Sequence, residues 1–315
     1  MITTLQSGSF TTIQDQGRWG YQAYGMPIAG AMDQYACQVA NLLVGNQMNA
    51  SVIEMTGMGA AFKFDEEQMV AVCGGDMQGL LNNIPIVNWS SFLIPRRGEI
   101  RFSAAVSGYR TYMAIRGGFD VPMVLESRST CTPLKVGGYE GRMLRQGDVL
   151  HVGQDSDYKM QPGVLTAPYI PQYTGPIELR VILGPQDDMF SQGALDTFFG
   201  SLYKVTDQSD RTGYRLKGPK VKHIGKADII SEAVWLGAIQ VPADGMPFIM
   251  TADHQTTRGF AKLGSVIRVD LAKMAQTGPG DSIRFICSTE EEAVQALRDE
   301  REMYSKIRNV CKKEG

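Results

Sequence analysis

Gly280-Asp281-Ser282-Ile283-Arg284-Phe285 opens with a glycine–acid turn and continues with apolar residues at every second position, the period of a strand with one buried face. The same device recurs at Gly98-Glu99-Ile100-Arg101-Phe102 and at Gly147-Asp148-Val149-Leu150-His151-Val152. Three copies are too irregular for a solenoid. They suit two related β-barrel-like halves, each closed by such a strand. Short apolar runs ended by Gly, Pro and Asn fill much of the rest. Val70-Ala71-Val72 is expected to stop at Gly74-Gly75, and Ile94 at Pro95-Arg96-Arg97-Gly98. Glycine supplies 35 of 315 residues against 14 prolines, an excess that points to tight turns rather than linkers. The chain reads as mainly β.

Helices are few. Residues 30–46 place Met32, Tyr35, Ala36, Val39, Leu42 and Leu43 on one face, with Gly45 where a C-terminal cap belongs, so a helix of about four turns is expected. A second is expected over Asp187 to Phe199. A third starts at Ser288-Thr289, whose hydroxyls precede Glu290, Glu291 and Glu292, and packs outside the barrels through Val294, Leu297, Tyr304 and Ile307. Four prolines between Gln161 and Pro176 mark an extended connector. The expected division is a first half over 1–160, a connector over 161–176, a second half over 177–287 and a helical tail over 288–315.

A formal net charge of −2 excludes a strongly basic nucleic-acid binder and gives no polybasic membrane footprint. No run approaches about 18 apolar residues, and Met1 to Phe10 has neither the basic nor the apolar region of a signal peptide. Five scattered cysteines (Cys37, Cys73, Cys131, Cys287 and Cys311) with no CxxC pair read as reduced thiols of a cytoplasmic protein. His151, His223 and His254 are equally dispersed, so no zinc cluster can be drawn and no metal is expected. Walker-type, complete dinucleotide and G-x-S-x-G motifs are absent, which leaves an unusual site or part of a shared one.

Three polar–glycine clusters carry the candidate chemistry. In the first, Gln14, Asp15 and Arg18 surround Gly17, a loop that either presents a guanidinium and amides to a ligand or is a structural Asp–Arg turn. The second joins Arg116-Gly117-Gly118 to Ser127, Arg128, Ser129 and Thr130. Its hydroxyls, two cations and backbone N–H groups form the inventory of an oxyanion or carboxylate site, or of a loop capped by its own hydroxyls. No adjacent base marks Ser129 or Thr130 as a nucleophile. In the third, Gln240 precedes His254, Gln255, Thr256 and Thr257, side chains suited to amide or urea-like ligands. Adjacent residues of a strand face opposite ways, which argues against an Asp253–His254 pair, and His254 is expected in a partly exposed loop. Asp33 and Asn41 share roughly one helix face. There the helix N-terminus can take an anion, or Asp33 simply complements the dipole. Glu54 is either a buried functional carboxylate or solvent-facing. No catalytic residue is assigned.

Read in order, these clusters resemble a known family. Thr12-Ile13-Gln14-Asp15 with Gly17-Arg18 and Gly20-Tyr21 begins the pattern. Gly30-Ala31, Asp33, Ala40-Asn41-Leu42-Leu43-Val44-Gly45-Asn46, Glu54-Met55-Thr56 and Arg116-Gly117-Gly118-Phe119 continue it. It ends with Ser127-Arg128-Ser129-Thr130, Gly213-Tyr214-Arg215-Leu216-Lys217-Gly218, Ile230-Ser231-Glu232, Gly237-Ala238-Ile239-Gln240-Val241-Pro242, Gln255-Thr256-Thr257 and Pro279-Gly280-Asp281. The chain is similar to the biotin-dependent carboxyltransferase (allophanate hydrolase subunit 2) family, which includes the C component of the bacterial 5-oxoprolinase. The resemblance covers residues 1 to about 286.

The resemblance implies two cyclophilin-like β-barrel halves and a function shared with partner chains similar to the A- and B-type 5-oxoprolinase proteins. In that branch the complex uses ATP to open the lactam of 5-oxoproline to glutamate, and this chain binds no cofactor itself. A second reading is the carboxyltransferase half of a urea or amide carboxylase, which brings in biotin; the Met-Lys-Met context of a biotin attachment site is absent from this chain. A third is a non-catalytic regulatory or scaffolding module. Two positions depart from the family pattern. Thr257-Arg258-Gly259-Phe260 stands where it has Thr-Thr-Gly-Gly-Tyr, and Glu126 stands where it has Gly before Ser-Arg-Ser-Thr. Both charges are expected to alter ligand choice or to pair with one another.

Overall fold

The computed structural model describes residues 1–153 and 161–313, with side chains as far as Asn309. The expected boundary at residue 160 and the Cys311 thiol therefore lie outside the described side chains. The mainly β expectation with a C-terminal helix is borne out. Among the described residues there are four α-helices: α1 (Gln34–Leu43), α2 (Gln192–Gly200), α3 (Asp270–Ala275) and α4 (Glu290–Lys313). None is long and apolar enough to cross a membrane. The chain forms two compact units, one of residues 1–18, 29–173 and 301–315, the other of 19–28 and 174–300.

The first unit contains a six-stranded and a five-stranded sheet. In the five-stranded sheet Phe10–Gln14, Val52–Thr56, Ser107–Ile115, Gln68–Asp76 and Ser90–Ile94 lie side by side. Alternation sends Ile53, Met55, Val70, Val72, Met113 and Ile115 into one apolar core with Ile2, Phe62, Phe64 and Ile100 of the other sheet. The opposite face turns toward α1. There the register sets Thr12 beside Glu54, Glu54 beside Tyr112, and Tyr112 beside Cys73. Gly74-Gly75 does not end its strand: the strand runs on to Asp76, and the glycines lie where the pairing with Ser107–Ile115 shifts register. They mark a bulge, which an alternation count reads as a stop. The helix expected over 30–46 is shorter, because Asp33 already accepts the Ala36 N–H as N-cap at 2.9 Å.

The second unit holds a closed seven-stranded barrel, in the order Ile177–Leu183, Lys262–Val266, Ala238–Gln240, Phe248–Met250, Gly213–Lys217, Leu202–Val205 and Ser282–Cys287. Ser282–Cys287 closes it by running parallel to Ile177–Leu183. Thus the opening motif at Gly280 serves this barrel, whereas its relatives at Gly98 and Gly147 both introduce strands of the first unit. A separate ribbon pairs Asp228–Ala233 with Thr257–Phe260. The helix expected over Asp187 to Phe199 is broken. A 3-10 turn (Asp187–Met189) precedes α2, which starts afresh where Ser191 caps the Ala194 N–H. Thr289 and Glu292 form the expected capping box of α4, each side chain reaching the other's backbone N–H.

Candidate functional site

The first two clusters meet in a buried knot. Asp15 Oδ1 accepts Ser127 Oγ at 2.7 Å, Ser129 Oγ at 2.5 Å and the Gly17 N–H at 2.8 Å, while Oδ2 accepts the Arg128 N–H at 2.5 Å. The Asp15 N–H in turn donates to Ser129 Oγ at 2.9 Å. Arg18 donates to the carbonyls of Val124 and Ser129, and Thr130 Oγ1 to that of Ile13. Ser129 is thus beside a carboxylate, yet its hydroxyl already donates to Asp15 and accepts the Asp15 N–H, and full burial keeps it out of reach of a substrate. Gly137 and Gly138 permit the closeness: a Cβ on Gly137 would collide with the Ser129 carbonyl, and one on Gly138 with Thr130 Oγ1. Gln14 donates Nε2 to Thr12 and to the Thr130 carbonyl, but its buried Oε1 has no partner.

The expected N–H donors after Arg116 are taken by the protein itself. Gly117 N–H goes to Asn46 Oδ1, Gly118 N–H to the Ile115 carbonyl, Phe119 N–H to Ser51 Oγ and Asp120 N–H to the His151 carbonyl. A cleft of about 540 Å³ lies here, lined in part by Ser51, Gly117, Gly118, Asp120 and Arg128. Arg128 spends its Nε on the Val121 carbonyl, and Arg116 starts the turn as its N–H joins Met69. The start of α1 is closed in the same way. Glu54 Oε2, fully buried, accepts the Met32 N–H and Tyr112 O–H, both at 2.8 Å. The Asp33 N–H donates to that same hydroxyl, so the backbone leading into the helix is met by the protein's own groups. Burial, then the neighbouring Glu54 and Asp33, push the Tyr112 phenol well above its usual range. Asn41 donates to the Ala50 carbonyl and accepts from Asn46.

The third cluster is only partly self-satisfied. Asp253 is committed to Arg211 in a buried two-pronged ion pair, 3.0 Å on each arm, so it serves no adjacent histidine. His254 is fully buried rather than partly exposed, because its N–H and Nδ1 are tied to the Thr251 and Gln255 carbonyls of a tight turn. A carbonyl only accepts, so Nδ1 carries the proton and Nε2 is a buried acceptor without a donor. Burial holds the imidazole below its ordinary pKa and keeps it neutral. Gln255 and Thr257 are exposed, and Thr256 contributes its carbonyl to Val234.

Gln240 leads to a set of residues that sequence patterns alone do not assemble. Register places Arg215 beside Phe248, Phe248 beside Gln240, and Gln240 beside Lys262. The flanking Tyr214 and Leu216 are buried while Arg215 is exposed, so this row lies on the outer barrel face. The ribbon reaches over it. Glu232 pairs with the nearly fully buried Lys262, whose ammonium lies 5.5 Å from the Trp235 ring centre. Lys262, with support from Gln186, holds the Glu232 carboxyl below its usual range. Arg258 and Arg215 each place their guanidinium carbon 5.0 Å from the Phe248 ring centre. Neither arginine has a carboxylate partner among the described residues. Gln240 Nε2 donates to the Phe260 carbonyl at 3.2 Å, and its buried Oε1 is unmet. Glu126 is exposed. Arg215 and Glu232 sit in the quoted family motifs, but nothing local in the sequence links either to Phe248, Lys262 or Trp235.

What this face can do follows from its donors and acceptors. It offers two cations over an aromatic ring and a carbonyl acceptor on the neighbouring strand, a combination suited to a planar ligand with an N–H group. Among the described residues no group of three or more His, Cys, Asp or Glu is placed to hold a metal.

Comparison with known proteins agrees with this architecture. A family model described as carboxyltransferase domain, subdomain A and B, matches residues 24–287. The chain is 32% identical to the C component of 5-oxoprolinase from Escherichia coli, covering 98% of this chain and 97% of that protein. It is 36% identical to urea amidolyase of Saccharomyces cerevisiae over 89% of this chain, but spans only 16% of that relative. The crystal structure of urea carboxylase from Kluyveromyces lactis superposes with a TM-score of 0.92 at 31% identity, over 97% of this chain and 29% of that one. With the closed barrel, the ordered motifs and a match across most of its length, the chain belongs to the carboxyltransferase-domain family of subdomains A and B.

Proposed function

We propose that the protein is the C-type component of an ATP-dependent 5-oxoprolinase, acting with A- and B-type partners to open 5-oxoproline to glutamate. The observation that carries this reading is the unmet Oε1 of Gln240, the register neighbour of Phe248: a buried acceptor calls for a donor, and a lactam N–H supplies one. Gln240 orients the amide, while Lys262, fixed by Glu232, sets positive charge beside it. The remaining catalytic groups and the nucleotide site reside on partner chains, in keeping with the commitment of Ser129 and Asp253 to other residues. The end-to-end likeness to a C-type 5-oxoprolinase component supports the same assignment.

The likeness to urea amidolyase and urea carboxylase favours a second reading, a carboxyltransferase half that acts on urea or another amide. Biotin belongs to that reading alone. Its ureido ring carries the N–H donor that Gln240 would hold, and when bound it supplies a carboxyl group. One assay separates the two. The chain is co-expressed with candidate partners, and ATP hydrolysis is followed with 5-oxoproline or urea as substrate. The first reading expects 5-oxoproline-dependent ATP hydrolysis with glutamate release, lost when this chain is omitted. An intact complex that responds to urea and not to 5-oxoproline would sink it.

A further inference from the structure

We propose that Arg215 and Arg258, set around Phe248 on the outer face of the barrel, form a carboxylate-binding subsite that selects acidic amides over neutral ones. The inference rests on the reading of Gln240 as the amide-orienting residue and names a second half for that site.

Both guanidinium carbons lie 5.0 Å from one ring centre, so they are no more than about 10 Å apart. The Debye length in physiological salt is about 8 Å, so salt screens their repulsion only in part. Arg258 also approaches Phe260, at 5.3 Å, and Met250 Sδ, at 3.8 Å, so its surroundings are apolar. Burial, then Arg215, lower its affinity for its own proton. Proteins commonly answer such a cation with a carboxylate, and Glu232 stands directly opposite Arg258 in the ribbon register. Glu232 is turned to Lys262 and Gln186 instead. The two arginines keep an unanswered double positive charge.

An incoming carboxylate converts that repulsion into two attractions, and the planar guanidinium fork matches its geometry. Phe248 and Phe260 provide flat apolar surface for a small ring. Gln240 is the register neighbour of Phe248 and bonds the Phe260 carbonyl, so its free acceptor belongs to the same neighbourhood. The ligand class is therefore a planar amide with an N–H at one end and a carboxylate at the other. Urea has no such carboxylate.

The test is calorimetric titration of the full chain, alone and in complex with its partner proteins, with 5-oxoproline, neutral 5-oxoprolinamide, N-acetylglycine, acetate and inorganic phosphate. Wild type is expected to prefer 5-oxoproline over its neutral amide by roughly tenfold or more. Arg258→Gln and Arg215→Gln each remove the preference by weakening the binding of 5-oxoproline more than that of the neutral amide, while Arg258→Lys restores part of it. Near-ultraviolet circular dichroism verifies that each variant is folded. An undiminished preference in both glutamine variants overturns the subsite, as does a wild type that binds none of the acids. Stronger binding of phosphate than of acetate overturns the carboxylate assignment. If N-acetylglycine binds and 5-oxoproline does not, with that binding lost in Arg258→Gln, the subsite stands and the 5-oxoproline reading falls.

Discussion

Asp15 in the first unit and Phe248 in the second mark two opposite arrangements of polar groups. At Asp15 one carboxylate receives four donors, the neighbouring hydroxyls are used twice, and the surrounding glycines bring backbone into contact. At Phe248 two guanidinium groups lack a carboxylate, and the adjacent glutamine keeps an unmet oxygen. Both regions look alike in sequence, as Arg, Gln, Thr and Gly at strand ends. An unmet glutamine oxygen occurs in both, at Gln14 and at Gln240, so what separates them is charge: the Asp15 carboxylate is met by donors, whereas the two guanidinium groups at Phe248 face no carboxylate. A buried polar atom without a partner costs about 1–3 kcal/mol, and a ligand that meets it offsets that cost.

The largest effect is expected from Arg211→Ala, which strands the buried Asp253 carboxylate. It should destabilise the fold by about 3–5 kcal/mol in urea denaturation, showing that pairing rather than the choice of unit sets the cost. Asp15→Ala removes the acceptor of four donors and should cost about 3 kcal/mol, measured the same way; a loss below about 1 kcal/mol would mean that water replaces the carboxylate.

A smaller effect concerns pH. The His254 pKa is lowered in the fold, so the unfolded chain binds its proton more readily, and stability falls as pH drops below about 6.5. The slope contributed is at most about 1.4 kcal/mol per pH unit, and His254→Gln should remove it. Asp270 tests the separation of windows. Burial pushes its carboxyl up, but Arg180 and Lys273 outweigh this and hold it low, so its contribution is lost only in more acid solution, below the ordinary carboxylate value. The smallest stability change is expected from Gln240→Leu, under about 1 kcal/mol, because one of its two polar ends is already unmet. In the partner complex the same variant should nevertheless lose amide turnover. A large stability loss with normal turnover would reverse the roles assigned to the two regions.

Much of the β architecture is legible in the sequence, and the reason is local. Alternation and glycine–acid turns locate the strands at Glu99–Arg101, Val149–Leu150 and Ser282–Cys287, and hydroxyls before glutamates locate the start of α4. Local signals mislead where a tertiary contact changes their meaning. Gly74-Gly75 reads as a stop but forms a bulge, and His254 reads as a partly exposed loop residue but is buried within its own turn. Of the candidate residues, Gln14, Asp15, Arg18, Ser127, Ser129 and Thr130 do come together, as a framework. Gln240 stands among the sequence candidates, yet Arg215, Phe248, Lys262 and Glu232 do not join it there, because they are neighbours only through register across four strands and a ribbon.

The fold class, the family pattern and the exclusion of a strongly basic nucleic-acid binder are readable from the residues alone. Those depend on residue periodicity, net charge and motif order, all properties of the chain before it folds. Only the tertiary structure decided which polar groups were spent and which remained. Hydrogen bonds such as Ser129 to Asp15 join residues more than a hundred positions apart, and the double positive charge at Phe248 exists only because the barrel and its ribbon bring Arg215 and Arg258 to one ring.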